Sequence, residues 1–239
     1  FNNISLAGEY LGENELAHNV HVKDDLVYIS HYSVGIKIID IYNPSDPVEV
    51  AAYDTYPQGN GSGYVGCWGA YPFTDNNMVF ASDMQNGLYI FDFEPTYAGW
   101  VEGTLYLNVS NIIANATLKS TLNNKEYLTD ENGYFHIGFS QGTHEFEIYY
   151  QAELIDTVLI EFIPRELTNS NIIINQNTLL GDINLDTNLD ILDIVIMVNI
   201  VLDLYEPSSQ EILAADMNND GMINIQDIIL LVNTILNQN

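Results

Sequence analysis

The chain has 239 residues, 47% of them hydrophobic, which is material for one or two ordinary cores or three small ones. Five Lys+Arg face 33 Asp+Glu, a formal net charge of -28, so nucleic acid and anionic membrane surfaces are poor partners because they carry the same sign. The single cysteine, Cys67, rules out a disulfide framework and a thiolate metal site, and no run approaches the roughly 18 apolar residues of a membrane span.

The sequence opens Phe1-Asn2-Asn3 without a Met or a signal-peptide pattern, and reads as a piece cut from something longer. Leu26 to Ile41 aligns without gaps on Met78 to Phe93. Each copy is a β-rich run, a turn ending in Gly35 or Gly87, and a second run closing on Asp40 or Asp92. The glycine supplies the positive φ of a tight hairpin turn. Asn43-Pro44-Ser45-Asp46-Pro47 is a turn signal, followed by a strand from Val48 to Tyr53, and Ile4 to Tyr10 reads as an earlier copy of that strand. Strand–turn–strand units at this spacing are the signature of propeller blades. Ala17-His18-Asn19-Val20, Gly35 to Pro44 and Trp68-Gly69-Ala70-Tyr71-Pro72-Phe73 resemble the LVIVD-repeat, choice-of-anchor B proteins. That resemblance implies an extracellular bacterial β-propeller with further blades upstream and a C-terminal attachment module.

Glu94-Pro95-Thr96-Tyr97-Ala98-Gly99 reads as a linker. From Gly103 to Ile174 short β-branched or aromatic runs alternate with polar turns; Asn132-Gly133 predicts a hairpin turn and Phe135 an inward-facing residue on the next strand. Val101-Glu102-Gly103-Thr104 and the run Thr129-Asp130-Glu131-Asn132-Gly133-Tyr134-Phe135 resemble the carboxypeptidase regulatory-like family, a transthyretin-like β-sandwich. The resemblance implies a spacer or stiffener; some relatives bind carbohydrate.

The strongest pattern follows. Asp182, Asn184, Asp186, Asn188, Asp190 and Asp193 recur, shifted by 34 residues, as Asp216, Asn218, Asp220, Met222, Asn224 and Asp227. Oxygen side chains occupy loop positions 1, 3, 5, 9 and 12 of both copies, and the carbonyl at position 7, of Asn188 or Met222, adds another. A hard cation needs about six to eight oxygens, and this spacing converges them; Ca²⁺ fits better than Mg²⁺, which keeps more of its water. Two ions are expected. Position 6 is Gly221 in the second loop but Thr187 in the first, and the apolar residue at position 8, Leu189 or Ile223, suits back-to-back pairing of the loops. Four carboxylates crowd the first loop and three the second, so cation binding should be coupled to folding, and chelation should unfold residues 180–239 while sparing the β domains.

Each loop is followed by an apolar run, Asp193 to Asp203 and Asp227 to Asn237, read as a short helix starting at the aspartate; Ser208-x-x-Glu211 is a capping box for a connecting helix. Helices this apolar exceed what so small a module can bury, leaving a candidate protein-binding face. Position 12 is Asp in both loops, and Gly181-Asp182-Ile183-Asn184 and Ala214-Ala215-Asp216-Met217-Asn218-Asn219-Asp220-Gly221 open the two halves. Residues 180–238 thereby resemble type I dockerin repeats. The resemblance implies two calcium ions and a cohesin-like protein domain as partner, contacted at positions 10 and 11, here Ile191, Leu192, Ile225 and Gln226. Those four are more apolar than the hydroxyl pairs common in the family, and the near two-fold repetition admits docking in two orientations.

The expected architecture is multidomain and mostly β with a small α calcium-binding module. It comprises partial β-propeller blades over residues 1–94, a β-sandwich over 99–176 and a dockerin-like loop–helix pair over 180–239. No G-x-S-x-G, supported Cys/His pair, zinc motif or phosphate loop is present, so no catalytic residue is assigned and enzymatic activity stays open. His18, His21, His31 and Asp83 could line a propeller pocket, but ordinary strand and turn roles account for them better. The leading functional reading is a secreted or cell-surface, non-catalytic interaction protein held on a scaffold by the calcium module. The alternative is a component of extracellular polysaccharide breakdown, either a carbohydrate-binding accessory or a fragment of a glycoside hydrolase, with an extracellular glycan as a further partner.

Overall fold

The computed structural model describes residues 3–11, 16–58, 63–107, 111–174 and 179–237, so the expected module ends at 1, 176 and 239 lie outside the described residues. Strand makes up 41% and helix 13%, in several sheets, none of them closed among the described residues. The chain clusters into two compact units, one of residues 1–101, 137–143 and 161–168 and the other of 102–136, 144–160 and 169–239.

In the first unit, β1 (Val20–Lys23), β2 (Leu26–Ser30), β3 (Ile36–Asp40) and β4 (Val48–Tyr53) form an antiparallel meander, and β5 (Cys67–Tyr71), β6 (Met78–Asp83) and β7 (Gly87–Asp92) form a second. The internal repeat carries through to register: Leu26 pairs with Asp40 and Met78 with Asp92. Gly35 and Gly87 close the turns at φ of 84° and 89°. Leu26, Ile38, Val48, Val50, Val79 and Ala81 from both meanders join Trp100 in one core. Cys67 lies in that core as a buried free thiol, its pKa pushed up to about 11 chiefly by desolvation.

Two expectations fail here. Residues 4–10 form no strand, and Ile4 and Leu6 are exposed, while Tyr10 hydrogen-bonds the Glu49 carboxylate of β4. Ala98 and Gly99 are not linker either: they begin β8 (Ala98–Leu107), with Ala98 fully buried. A Cβ on Gly99 would come within 2.4 Å of the Ile163 carbonyl, so the glycine that reads as a turn is there for close backbone approach.

Beyond β8 come β9 (Asn111–Ile112), β10 (Thr117–Ser120), β11 (Glu126–Leu128), β12 (Tyr134–Ser140), β13 (Gly142–Tyr150), β14 (Glu153–Phe162), β15 (Leu167–Asn169) and β16 (Ile172–Ile174). One sheet runs β11-β10-β13-β14; the other runs β12-β8-β15, with β9 and β16 also pairing to β8. In the second unit, Leu105, Ile113, Leu118, Phe135, Phe146 and Ile148 are almost fully buried. Phe135 points inward as the alternation predicts, and Gly133 takes a φ of 67° in the turn before it.

The second unit also holds α1 (Ile191–Val201), α2 (Ser209–Ala215) and α3 (Ile225–Leu236), whose core is Ile183, Met197, Ile200, Ala214, Ala215 and Leu231. Ser208 caps α2 with Glu211 completing the capping box, as its sequence signature predicts. The long helices begin two residues before the aspartates expected to start them, at Ile191 and Ile225. Asp190 and Asn224 are the N-caps, and they displace Asp193 and Asp227 to the third helical position.

In the first unit, Asp40 is fully buried and its carboxylate accepts the backbone N–H of Tyr42 at 2.7 Å and of Ala98 at 2.8 Å. Asp40→Ala orphans both donors and should destabilise this unit by about 2–4 kcal/mol, whereas its repeat equivalent Asp92 is exposed and its alanine variant should change stability by less than about 0.5 kcal/mol. Both tryptophans, Trp68 and Trp100, lie in this unit, so urea unfolding followed by tryptophan fluorescence measures the difference.

Candidate calcium-binding site

Each loop is closed by the carboxylate at its last position. Asp193 Oδ1 accepts from the N–H groups of Ile183 (2.9 Å) and Asn184 (3.2 Å), and Oδ2 from that of Asp190 (2.9 Å). Asp227 repeats the pattern with Met217 (2.9 Å), Asn218 (3.2 Å) and Asn224 (2.9 Å). Both side chains are fully buried. A glutamate is one methylene longer than this arrangement uses, which gives the Asp at position 12 a geometric reason.

The first-position aspartates tie the middle of each loop. Asp182 accepts from the N–H groups of Asp186 (3.0 Å) and Thr187 (2.7 Å); Asp216 accepts from Asp220 (3.2 Å) and Gly221 (2.9 Å). Positions 4 and 6 take left-handed backbone in both loops: Leu185 and Asn219 at φ of 59° and 56°, Thr187 and Gly221 at 71° and 80°. The β-branched Thr187 therefore adopts the same strained turn as its glycine counterpart.

The donor set fits a hard cation. Asp182 uses two of about four acceptor positions on its carboxylate, leaving capacity for a metal. Asn184 and Asn218 turn Nδ2 toward the carboxylates of Asp186 (2.9 Å) and Asp220 (2.8 Å). Among the described residues the Asp and Glu side chains do not form a ready-made cluster of three; amide and backbone N–H groups stand between them. Burial raises the Asp216 pKa, against the backbone N–H groups of Gly221 and Asp220 that lower it. The hydrogen bond from the Asn188 N–H holds the exposed Asp186 low and ionised. Residues 180–239 contain ten Asp and Glu and no Lys, Arg or His, so the counter-charge must come from outside the segment.

Ile191, Leu192, Ile225 and Gln226 lie on the first turns of α1 and α3, and all four are exposed. Val195 and Ile229, one turn further, extend the apolar surface on each helix. Leu189 and Ile223 pack against the core of the helical module. His18 contacts the Trp68 ring and carbonyl, His21 meets Tyr71 and Phe73, His31 is buried, and Asp83 accepts from Thr55 Oγ1 and two backbone N–H groups.

Comparison with known families follows this geometry. The family profile described as Dockerin type I domain matches residues 180–236. These residues form a type I dockerin domain. Dockerin domains bind calcium and cohesin partners, and the proteins that carry them are typically extracellular or on the cell surface. The LVIVD repeat profile matches residues 16–55, which include the first meander. No curated protein matches the chain. Among solved structures, the minor pilin of Streptococcus agalactiae is 7% identical at a TM-score of 0.26, over 44% of this chain and 63% of that one. The Bacillus anthracis TIE protein is 7% identical at 0.28, over 70% of this chain and 42% of that one. The chain thus spans less than two thirds of either structure, and likeness at this level carries no inference about function. Among the described residues no helix is long and apolar enough to cross a membrane.

A Cβ at Gly221 would meet nothing within 4 Å, so Gly221→Thr isolates the backbone cost of the left-handed turn. That cost is about 1–3 kcal/mol for a non-glycine residue, and calcium affinity of the dockerin's second loop should fall at least roughly fivefold. Gly221→Asn, which tolerates this conformation, should lose much less in the same calorimetric titration.

Proposed function

We propose that this protein is a secreted or cell-surface, non-catalytic interaction protein held on a scaffold by its dockerin domain, with two calcium ions ordering the contact surface. The first ion is assigned to Asp182, Asn184, Asp186, the Asn188 carbonyl, Asp190 and Asp193, and the second to Asp216, Asn218, Asp220, the Met222 carbonyl, Asn224 and Asp227. The observation that carries the assignment is the absence of any basic side chain among residues 180–239, where three carboxylates, of Asp182, Asp193 and Asp227, are buried and accept from backbone N–H groups. Calcium supplies the missing positive charge when bound. The chain's own residues close the loops, cap the helices and aim Ile191, Leu192, Ile225 and Gln226 outward.

The proposed modules are partial propeller blades over 1–94, a carboxypeptidase regulatory-like sandwich over 99–176 and the dockerin over 180–239. The apolar first turns of α1 and α3 suit a cohesin-like domain that buries aliphatic side chains at its centre. Their near-identical presentation supports docking in either of two orientations.

A purified cohesin domain should bind the full chain in calcium and release it in EDTA. Ile191→Asp combined with Ile225→Asp should weaken binding at least roughly hundredfold, and either change alone much less, because truncated central contacts each cost about 2 kcal/mol or more. Equal binding with and without calcium would overturn the reading.

A further inference from the structure

Asn219, at position 4 of the second calcium loop, is not among the proposed ligands, and its side chain does something else. In the orientation that satisfies both groups, its carboxamide nitrogen donates to the Ile112 carbonyl at 3.1 Å and its oxygen accepts from the Ile112 N–H at 2.9 Å. Ile112 belongs to β9, which among the described residues pairs with β8 alone. Ile112 sits opposite Tyr106, and the adjacent Ile113 N–H donates to Leu105. By the alternation of an antiparallel ladder, Ile112 is therefore a non-hydrogen-bonded position whose N–H and C=O point away from β8. A carboxamide carries the same donor and acceptor as a peptide group, so Asn219 fills the free edge as one residue of a missing strand would.

The two ends of this contact are both held firmly. Asn219 is flanked by Asn218 and Asp220, and its left-handed backbone is set by the loop itself. On the sandwich side, Gly133 approaches Ile112 so closely that a Cβ there would come within 2.6 Å of its side chain. The equivalent of Asn219 in the first loop is Leu185, which has no amide to offer. Only one loop of the near-symmetric pair can make the contact.

We propose that Asn219 latches the second calcium loop to the free edge of the sandwich at Ile112, so that calcium in that loop protects the sandwich edge. The latch holds the second loop and has no counterpart at Leu185 of the first. Its geometry stands without a metal; its dependence on calcium rests on the assignment made under the proposed function.

Amide hydrogen exchange of the full chain, resolved at Ile112 with calcium and with EDTA, tests it. In wild type the Ile112 amide should exchange roughly tenfold more slowly with calcium than without, the scale of one buried hydrogen bond. Asn219→Gly keeps the left-handed turn but removes the carboxamide; it should exchange fast in both conditions while its calcium titration matches wild type. Leu185→Gly should leave Ile112 protection unchanged. Protection that survives in Asn219→Gly, or a wild-type Ile112 amide unprotected with calcium bound, overturns the latch without touching the calcium assignment. If the wild type takes up no calcium, the assignment fails, and slow exchange lost in Asn219→Gly would still establish the contact.

Discussion

The C-terminal module depends on one carboxylate per repeat. Asp193 and Asp227 each gather three backbone N–H groups, two from the start of the loop and one from the helix N-cap. The same side chain thus closes the loop, completes a capping box and sits where the helix dipole favours a negative charge. Hydrogen bonds satisfy the oxygens, but a buried net charge also needs a counter-ion. Without a Lys, Arg or His among residues 180–239, the proposed calcium ion would be that counter-ion.

The same economy appears elsewhere in the chain. With only five Lys+Arg to pair against 33 Asp+Glu, carboxylates are placed on backbone donors instead of basic side chains. Asp40 and Asp83 are buried on N–H groups in the first unit, and the exposed Asp130 takes the N–H groups of Asn132 and Tyr134, which hold it below its usual range. Each of these fixes a turn or the start of a strand. The acidity that repels nucleic acid and anionic membranes is therefore also structural.

What the sequence revealed followed from strict spacing. The gapless repeat of residues 26–41 on 78–93 became matching registers, and the paired twelve-residue loops became matching hydrogen-bond sets. What it concealed depended on context. The helix starts were misplaced because Asp190 and Asn224, read only as loop oxygens, also cap the helices. Residues 4–10 have the composition of a strand, but composition does not supply the ladder of backbone hydrogen bonds that makes one. Gly99 reads as flexible until Ile163 shows it is a site of close packing, and Asn219 looks like one more polar loop residue until Ile112 comes beside it.

Calcium titration calorimetry on the full chain, comparing wild type with Asp182→Ala and Asp216→Ala, is the most direct test of the account. The paired loops predict two ions in wild type and one in each variant. An absence of binding, or a stoichiometry untouched by either substitution, would contradict the claim that these buried carboxylates are organised around calcium.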